Sequence, residues 1–297
     1  MTTATAFSLA GRLKAGETVY SGWCGLPAPI VAELVGREGF PAVTLDAQHG
    51  LWDIATLVAG IAQVRQGGAA AMVRIPVGQF ATASRALDFG AEGIIAPMIN
   101  TPADARAYVS FAKFPPLGER SWGPHRATTL ANMADQKVYL REANTLTVTF
   151  AMIETRTALD NVEAIAATPG IDALFLGPAD LSIALSNGAE VDPMSPQVDR
   201  ELDRIMGAAH KAGKVMGAYC HSVERAVALA KRGVRFLAVG SDIGSTSAPL
   251  LSAIERSAGP RNSASMPGVA AIASTLSSAV RVSIMAKVTV RSLASRR

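Results

Sequence analysis

The chain has 297 residues, of which 49% are hydrophobic and 18% charged, a composition that suits a globular protein with a sizeable core. Its two cysteines, Cys24 and Cys220, form no CxxC pair, which argues against a zinc–thiolate site and a disulfide framework and favours a reducing, cytoplasmic setting. The net charge of +4 is uneven, because residues 256–297 contain seven basic and no acidic residues; residues 1–255 are mildly acidic, which argues against a nucleic-acid partner.

Eight short apolar or β-branched runs follow one another along the chain, and their near-continuous hydrophobicity is typical of parallel strands covered on both faces. The predicted strands span residues 18–23, 42–46, 70–75, 93–97, 147–153, 173–176, 215–219 and 236–239. Helical patterns lie between them at residues 29–38, 54–66, 80–89, 103–112, 158–167, 197–212 and 223–232. This alternation, with no GxGxxG after the first strand, predicts a single-domain α/β fold, a (β/α)₈ TIM barrel, over residues 1–258.

Two segments depart from the alternation. Residues 114–141 are longer than a minimal connection, and we interpret them as a long βα loop that acts as a lid or binds the acceptor. From residue 259 onward Ala, Ser, Val and Arg dominate, and we interpret residues 259–297 as a basic tail that is disordered or not native to the barrel. No uninterrupted run of about 20 apolar residues occurs, so we predict no membrane span.

Residues suited to catalysis or binding collect at the ends of the predicted strands. The loops that follow the strands form the active face of a TIM barrel. Six such residues lie at or just after a strand end: Trp23, Asp46, His49, Arg74, Glu154 and Asp180. We expect the site to lie where these residues converge.

Glu154 and Asp180 follow two successive predicted strands. Neighbouring parallel strands are ~4.8 Å apart, so the two carboxylates can share one divalent cation whose other ligands are water and substrate oxygens. A structural alternative is that Asp180 caps the following helix while Glu154 pairs with Arg156. The tight GPA turn at residues 177–179 places N–H groups at a helix start, where they can hold a carboxylate.

His49 and Asp46 follow the second predicted strand, and together they would form a carboxylate–imidazole pair able to move a proton. Arg74 ends the third strand, where it can bind a carboxylate or stabilise an enolate oxygen, or instead form a structural ion pair. Trp23 is expected either to line the pocket or to belong to the core. His221 follows the seventh strand and is the reserve candidate for the acid/base.

Other reaction classes lack the residues that they need. A Schiff-base aldolase requires a lysine in the site, and no lysine stands at a predicted strand C-terminus. The GxSxG and GxxxxGK[ST] motifs are also absent, which removes support for a serine-hydrolase elbow and a P-loop.

Five ordered motifs resemble the HpcH/HpaI aldolase family: DAQH at 46–49, VRIP at 73–76, IAPM at 95–98, MIET at 152–155 and GPADLS at 177–182. These are class II pyruvate aldolases of the 2,4-dihydroxyhept-2-ene-1,7-dioate and 2-dehydro-3-deoxyglucarate aldolase type, related to citrate lyase β subunits. The resemblance covers roughly residues 7–255. It implies a metal-dependent aldolase that reversibly cleaves 2-oxo-4-hydroxy acids to pyruvate, or hydroxypyruvate, and an aldehyde.

Individual roles follow from the same resemblance. It implies that Glu154 and Asp180 hold Mg²⁺, Mn²⁺ or Co²⁺. It implies that His49 is the acid/base, oriented by Asp46, and that Arg74 stabilises the enolate and carbonyl oxygens. The substrate-binding residues that it implies are Trp23, Arg74, Gly177, Pro178 and Ala179.

The resemblance also bears on assembly and on substrate preference. Asp88 matches a family aspartate that reaches a neighbouring subunit's site, which implies a homo-oligomer, a trimer or hexamer. The loop at residues 118–124 resembles a glycine-rich loop near the acceptor. Gln48 and Met152 depart from the family, since the best-known pyruvate aldolases have Glu and Gln there. Both changes bear on water placement and acceptor preference.

Three alternatives stay open from the sequence. A CoA-thioester lyase of the citryl or malyl type uses the same enolate chemistry, although residues 1–255 show no clear basic phosphate-binding loop. A catalytically inactive barrel could act as a binding or assembly protein. The basic tail could bind nucleic acid. The acceptor aldehyde, the choice between the two donors and the identity of the metal are not determined by the sequence.

Overall fold

The computed structural model describes residues 7–242, which contain eight parallel strands in a closed barrel with the order β1-β2-β3-β4-β5-β6-β7-β8. The strands are β1 (Val19–Cys24), β2 (Ala42–Asp46), β3 (Ala70–Arg74), β4 (Gly93–Ala96), β5 (Val148–Ile153), β6 (Ala173–Leu176), β7 (Val215–Cys220) and β8 (Phe236–Val239). Each lies within one residue of its predicted bounds, and the predicted (β/α)₈ barrel is confirmed.

Twelve helices accompany the strands within residues 7–242. They are α1 (Leu9–Lys14), α2 (Pro29–Arg37), α3 (Ile54–Gln66), α4 (Phe80–Asp88), α5 (Pro102–Ala112), α6 (His125–Leu130), α7 (Gln136–Leu146), α8 (Arg156–Asp160), α9 (Val162–Ala166), α10 (Pro178–Leu185), α11 (Pro196–Lys211) and α12 (Val223–Arg232). None of these helices is long and apolar enough to cross a membrane.

The helix predicted over residues 158–167 is wrong as a single element, because Asn161 divides it into α8 and α9. The Asn161 side-chain amide donates to the carbonyl oxygens of Asn100 at 3.1 Å and Thr157 at 2.9 Å. An asparagine that bonds nearby carbonyl groups in this way competes with the regular helical pattern.

The prediction of one long loop over residues 114–141 is also wrong. Helix α6 and the first part of α7 lie in this segment, and both contribute to a small second core. Its buried members are Phe7, Phe114, Ala127, Ala131, Tyr139 and Ala143. The segment is therefore a packed part of the fold, and the tail predicted at residues 259–297 lies outside the described residues.

Helix α1 closes the N-terminal end of the barrel. Leu9 and Leu13 are buried in one cluster with residues at the starts of several strands. The carboxylate of Glu92 accepts hydrogen bonds from the backbone N–H groups of Ser8 at 2.7 Å and Leu9 at 2.9 Å, and its other oxygen pairs with Arg65. Because this end is sealed, the opposite end, where the strands terminate, is the open face available to a ligand.

Candidate active site

A cavity of about 290 Å³ lies at the C-terminal end of the barrel. Its lining residues end or follow seven of the eight strands: Trp23, Gly25, Asp46, His49, Arg74, Met152, Gly177, Pro178, Ala179, Asp180, Tyr219, His221 and Ser241. The structure thus brings together eight of the residues that the sequence predicts for the site. Neither Glu154, which follows β5 and is almost fully buried, nor Asp88 is among the residues that line the cavity.

Glu154 is a buried carboxylate that is held on one side. Its Oε1 accepts a hydrogen bond of 2.8 Å from the backbone N–H of Met98, a residue with the unusual φ of 53° just after β4. Burial, which is the largest cause, and the charge of Asp180 raise the pKa of Glu154 to about 7, while the Met98 hydrogen bond and the charge of Arg74 oppose the shift. Two carboxylates close enough to affect each other in a buried place favour a cation between them.

Because Gly177 has no side chain, it provides room for the carboxylate of Glu154. A Cβ atom at this position would collide with Oε2 of Glu154 and would lie 2.6 Å from Cε of Met152. The backbone φ of Gly177 is −95°, which any residue adopts, so the requirement for glycine is steric. Helix α10 begins directly after Gly177 and carries Asp180 in its first turn.

The two carboxylates fit an oxygen-coordinated divalent cation. Within residues 7–242, no group of three or more His, Cys, Asp or Glu side chains is placed to hold a metal, so Glu154 and Asp180 would supply two ligands and leave several positions for water and substrate. Carboxylate and water ligands suit Mg²⁺, Mn²⁺ and related ions. The open coordination suits an ion that also binds substrate.

The structural alternative for these residues is wrong. Arg156 donates to the carbonyl oxygens of Ala184 at 2.9 Å and Leu185 at 2.6 Å, at the end of α10, and not to Glu154. The N-cap of α10 is Gly177, and Asp180 is the third residue of the helix. Neither carboxylate is therefore explained by the local structural role that the sequence allowed.

Asp46 binds Arg74 and not the imidazole of His49, which corrects the predicted pairing. Nε and Nη2 of Arg74 donate to Oδ1 and Oδ2 of Asp46 at 2.8 and 2.6 Å. The two residues are direct partners in the parallel register of β2 and β3. Oδ1 also accepts the backbone N–H groups of Gln48 and His49. Asp46 therefore shapes the turn that carries His49, while its charge is matched by Arg74.

His49 and Gln48 differ in their surroundings. The His49 side chain is exposed and lines the cavity, and within residues 7–242 its ring nitrogens make no hydrogen bond. Oε1 of Gln48 is buried and, among the described residues, has no hydrogen-bond partner. His49 is consequently available to a ligand, whereas Gln48 is not among the residues that line the cavity.

Aromatic side chains form one wall of the cavity. Trp23 donates from Nε1 to Asp46 at 3.3 Å, and its ring lies 4.8 Å from the Arg74 guanidinium carbon. Tyr219 packs edge-on against Trp23, with ring centroids 5.2 Å apart. Tyr219 and Ser241 line the cavity but are not among the residues predicted from the sequence. Both residues could have been predicted from their positions, because they lie at or just after the ends of predicted strands.

Asp88 lies at the end of α4, where it accepts a 2.6 Å hydrogen bond from Nη2 of Arg120. Arg120 is buried and lies over the ring of Phe114 at 4.6 Å. Within one chain, Asp88 thus anchors the segment before α6. The participation of Asp88 in a neighbouring subunit's site, and the trimer or hexamer that it implies, stay predictions.

Comparisons with known proteins agree with this arrangement. The family model described as HpcH/HpaI aldolase/citrate lyase matches residues 21–249. Hydroxypyruvate/pyruvate aldolase of Rhizorhabdus wittichii is 35% identical over 233 residues, which cover 78% of this chain and 91% of that protein. The 5-keto-4-deoxy-D-glucarate aldolase of Klebsiella pneumoniae is 34% identical over 233 residues, with coverages of 78% and 89%.

A solved structure extends the likeness to three dimensions. The crystal structure of an HpcH/HpaI aldolase from Desulfitobacterium hafniense superposes with a TM-score of 0.73 at 25% identity, covering 88% of this chain and 98% of that one. The family model spans well over half of the chain. The chain therefore belongs to the HpcH/HpaI aldolase/citrate lyase family and is a carbon–carbon lyase of the aldolase type.

Proposed function

We propose that the chain is a metal-dependent aldolase that reversibly cleaves 2-oxo-4-hydroxy acids to pyruvate, or hydroxypyruvate, and an aldehyde. The observation that carries this proposal is a buried carboxylate, Glu154, whose pKa is raised in part by the charge of Asp180, beside a cavity lined by Asp180 and Arg74. Two carboxylates for a cation and a guanidinium for developing negative charge are what enolate formation requires. The relatives named as pyruvate and ketodeoxyglucarate aldolases support the same reaction.

Glu154 and Asp180 would hold the divalent cation, Mg²⁺, Mn²⁺ or Co²⁺. When bound, the cation supplies positive charge that stabilises the enolate. Gly177 keeps the position of the Glu154 carboxylate open, and the bond from Met98 fixes one of its oxygens. These contacts set the direction of the second oxygen before a ligand arrives, which lowers the cost of assembling the site.

Arg74 would bind the oxygen atoms of the oxo acid. Asp46 occupies Nε and one donor of Nη2, so Nη1 keeps its donors for a ligand. The backbone N–H groups of Ala179 and Asp180 lie in the first turn of α10, where helical carbonyl acceptors are lacking. They would receive the substrate carboxylate, as helix N-termini do for anions, and Pro178 fixes the start of that turn.

His49 would remove and return the proton. In the cleavage direction, His49 takes the proton of the C4 hydroxyl, the C3–C4 bond breaks, and C4 leaves as the aldehyde carbon. The electron pair of the broken bond forms the C2–C3 double bond of the enolate, whose C2 oxygen faces Arg74. Return of one proton to C3 gives the methyl group of pyruvate, or the CH₂OH group of hydroxypyruvate.

Removal of the metal tests this proposal. We expect the purified protein to release pyruvate or hydroxypyruvate from 2-oxo-4-hydroxy acids, to stop after exhaustive EDTA treatment, and to resume with Mg²⁺, Mn²⁺ or Co²⁺. Full activity of the metal-free protein would contradict the proposal. A catalytically inactive barrel would show no activity with any of the three ions. A CoA-thioester lyase would instead cleave a citryl- or malyl-type thioester. We do not expect this activity, because the phosphate groups of CoA need basic partners and Arg74 is the one Lys or Arg that lines the cavity among residues 7–242.

A further inference from the structure

The order of the strands around the barrel divides the residues of the site into two groups. Arg74, Glu154 and Asp180 belong to β3, β5 and the turn after β6, and they are the groups assigned to the oxo acid. A second group of lining residues comes from β1, the turn after β2, β7 and the segments after β7 and β8, which are consecutive around the barrel. We call these residues the acceptor wall: Tyr219, His221, Ser241, Trp23 and His49. The groups assigned to the oxo acid lie on the other side, which leaves this side to an aldehyde that reacts with the enolate.

His221 is held within the acceptor wall by ring contacts. Its imidazole packs edge-on against Tyr219, with centroids 5.0 Å apart and an interplanar angle of 85°. Tyr219 in turn packs against Trp23 and donates its hydroxyl to the carbonyl oxygen of Gly240 at 3.3 Å. These contacts fix the Tyr219 ring between two partners, so the imidazole has a preferred position at the cavity surface.

The His221 ring is free to recognise a ligand. It lines the cavity and remains exposed, and neither of its nitrogens makes a hydrogen bond to another described residue. Partial burial lowers the pKa of His221, which favours the neutral form of the ring. A neutral imidazole offers one donor and one acceptor, a combination that matches a hydroxyl group.

The charges around the acceptor wall disfavour an anionic acceptor. None of its five residues is a lysine or arginine. Arg74 is paired with Asp46, and its remaining donors are assigned to the oxo acid. Among residues 7–242, a carboxylate on the aldehyde would therefore find no lysine or arginine on this wall to balance its charge.

We propose that His221 is a specificity-determining residue that hydrogen-bonds a hydroxyl group of an uncharged acceptor, so that the enzyme prefers short hydroxyaldehydes. This inference rests on the proposed aldolase function and adds the chemical class of the second substrate. Tyr219 acts through His221 as a positioning residue.

Three small aldehydes test the inference in the condensation direction with pyruvate. Glycolaldehyde carries the hydroxyl group, propionaldehyde replaces it with a methyl group, and glyoxylate carries a carboxylate. We expect the wild-type enzyme to have its highest kcat/KM with glycolaldehyde. His221→Ala should lose about 3- to 10-fold of the preference for glycolaldehyde over propionaldehyde, the size of one net hydrogen bond. His221→Gln, which keeps a donor and an acceptor, should retain part of it.

His210→Ala is the matched control, because His210 is exposed on α11 and does not line the cavity; it should leave the preference unchanged. An unchanged preference in His221→Ala, or a wild-type preference for glyoxylate, would overturn the inference. Deuterium exchange of the pyruvate methyl protons by the wild-type enzyme reports enolate formation without an acceptor. Absence of that exchange would overturn the proposed function and this inference together, whereas exchange with an unchanged preference would overturn the inference alone.

Discussion

The guanidinium of Arg74 and the carboxylate of Asp46 face each other across adjacent strands and form two parallel hydrogen bonds of 2.8 and 2.6 Å. Both side chains are almost completely buried. A paired arrangement of this kind fixes the plane of the guanidinium as well as its position. The orientation of Arg74 toward the cavity therefore depends on Asp46, and several consequences can be measured.

Asp46→Asn should reduce catalysis through Arg74. The amide keeps the size of the side chain but removes the charge and one of the two acceptor oxygens, so the guanidinium loses its fixed orientation. We expect kcat/KM to fall roughly 10- to 100-fold, as for other residues that orient a ligand-binding group, with the pH profile of kcat/KM unchanged in shape. A changed profile would instead support the original prediction that Asp46 orients His49.

The same pair predicts a pH dependence of stability. Burial raises the pKa of Asp46, but the hydrogen bonds and charge of Arg74, with the N–H groups of Gln48 and His49, outweigh it and hold the pKa below its usual value. A carboxyl group with a lowered folded-state pKa stabilises the fold above its unfolded pKa of about 3.9, and the stabilisation is lost as the pH falls through the folded value.

Chemical denaturation at several pH values measures this effect. At pH 7 we expect Asp46→Asn to unfold at a lower denaturant concentration than the wild type. The difference in the free energy of unfolding should shrink below about pH 4, because the wild-type carboxyl then becomes protonated. A difference that stays constant or grows toward low pH would show that Asp46 is not stabilised as the ion.

Gly177→Ala should damage the metal site without a backbone penalty. The added methyl group would occupy the place of Oε2 of Glu154 and force that carboxylate or Met152 to move. We expect a large loss of Mn²⁺ affinity in calorimetry and a matching loss of kcat. Gly207→Ala on α11 is the control, because a Cβ there meets no atom within 4 Å; it should leave binding unchanged and stabilise the helix by up to about 1 kcal/mol. Equal metal affinity in both variants would contradict the steric argument.

Glu92→Ala should detach α1 from the closed end of the barrel. The substitution removes the acceptor of the Ser8 and Leu9 N–H groups and leaves the largely buried Arg65 without its 2.7 Å partner. Loss of one member of a buried ion pair costs about 3–5 kcal/mol, which urea unfolding would detect. Glu17→Gln tests an exposed pair with Arg12 at 3.8 Å and should change stability by less than about 1 kcal/mol. Similar losses in the two variants would refute a special role for Glu92.

The strands could be predicted from the sequence because each is an apolar run bounded by turn residues. Most of the residues that line the site could then be predicted, because they lie at or just after the ends of these strands. The partner of Asp46 could not be predicted in this way. His49 is only three positions away, whereas Arg74 becomes a neighbour through the register of β2 and β3. Proximity along the chain therefore suggested the wrong pair.

Two features of the site depend on packing that no local pattern encodes. Glu154 has room for its carboxylate because the residue that follows the next strand, Gly177, has no side chain. His221 is placed by Tyr219, which is itself held by Trp23 from the other side of the β8 strand. Residues 114–141 resemble a loop in sequence, yet α6 and α7 pack on Phe114 and Phe7 to form a second core.

Binding of pyruvate in the presence and absence of Mn²⁺, measured by calorimetry for the wild type and for Glu154→Gln and Asp180→Asn, tests the central claim most directly. Glu163→Gln, on the exposed face of α9, is the matched control. We predict that the wild type and Glu163→Gln bind pyruvate only with Mn²⁺. The two site variants should lose Mn²⁺ affinity by more than the roughly 10- to 100-fold typical of residues that merely support metal ligands. Metal-independent binding of pyruvate by the wild type, or unchanged Mn²⁺ affinity in either site variant, would contradict the account.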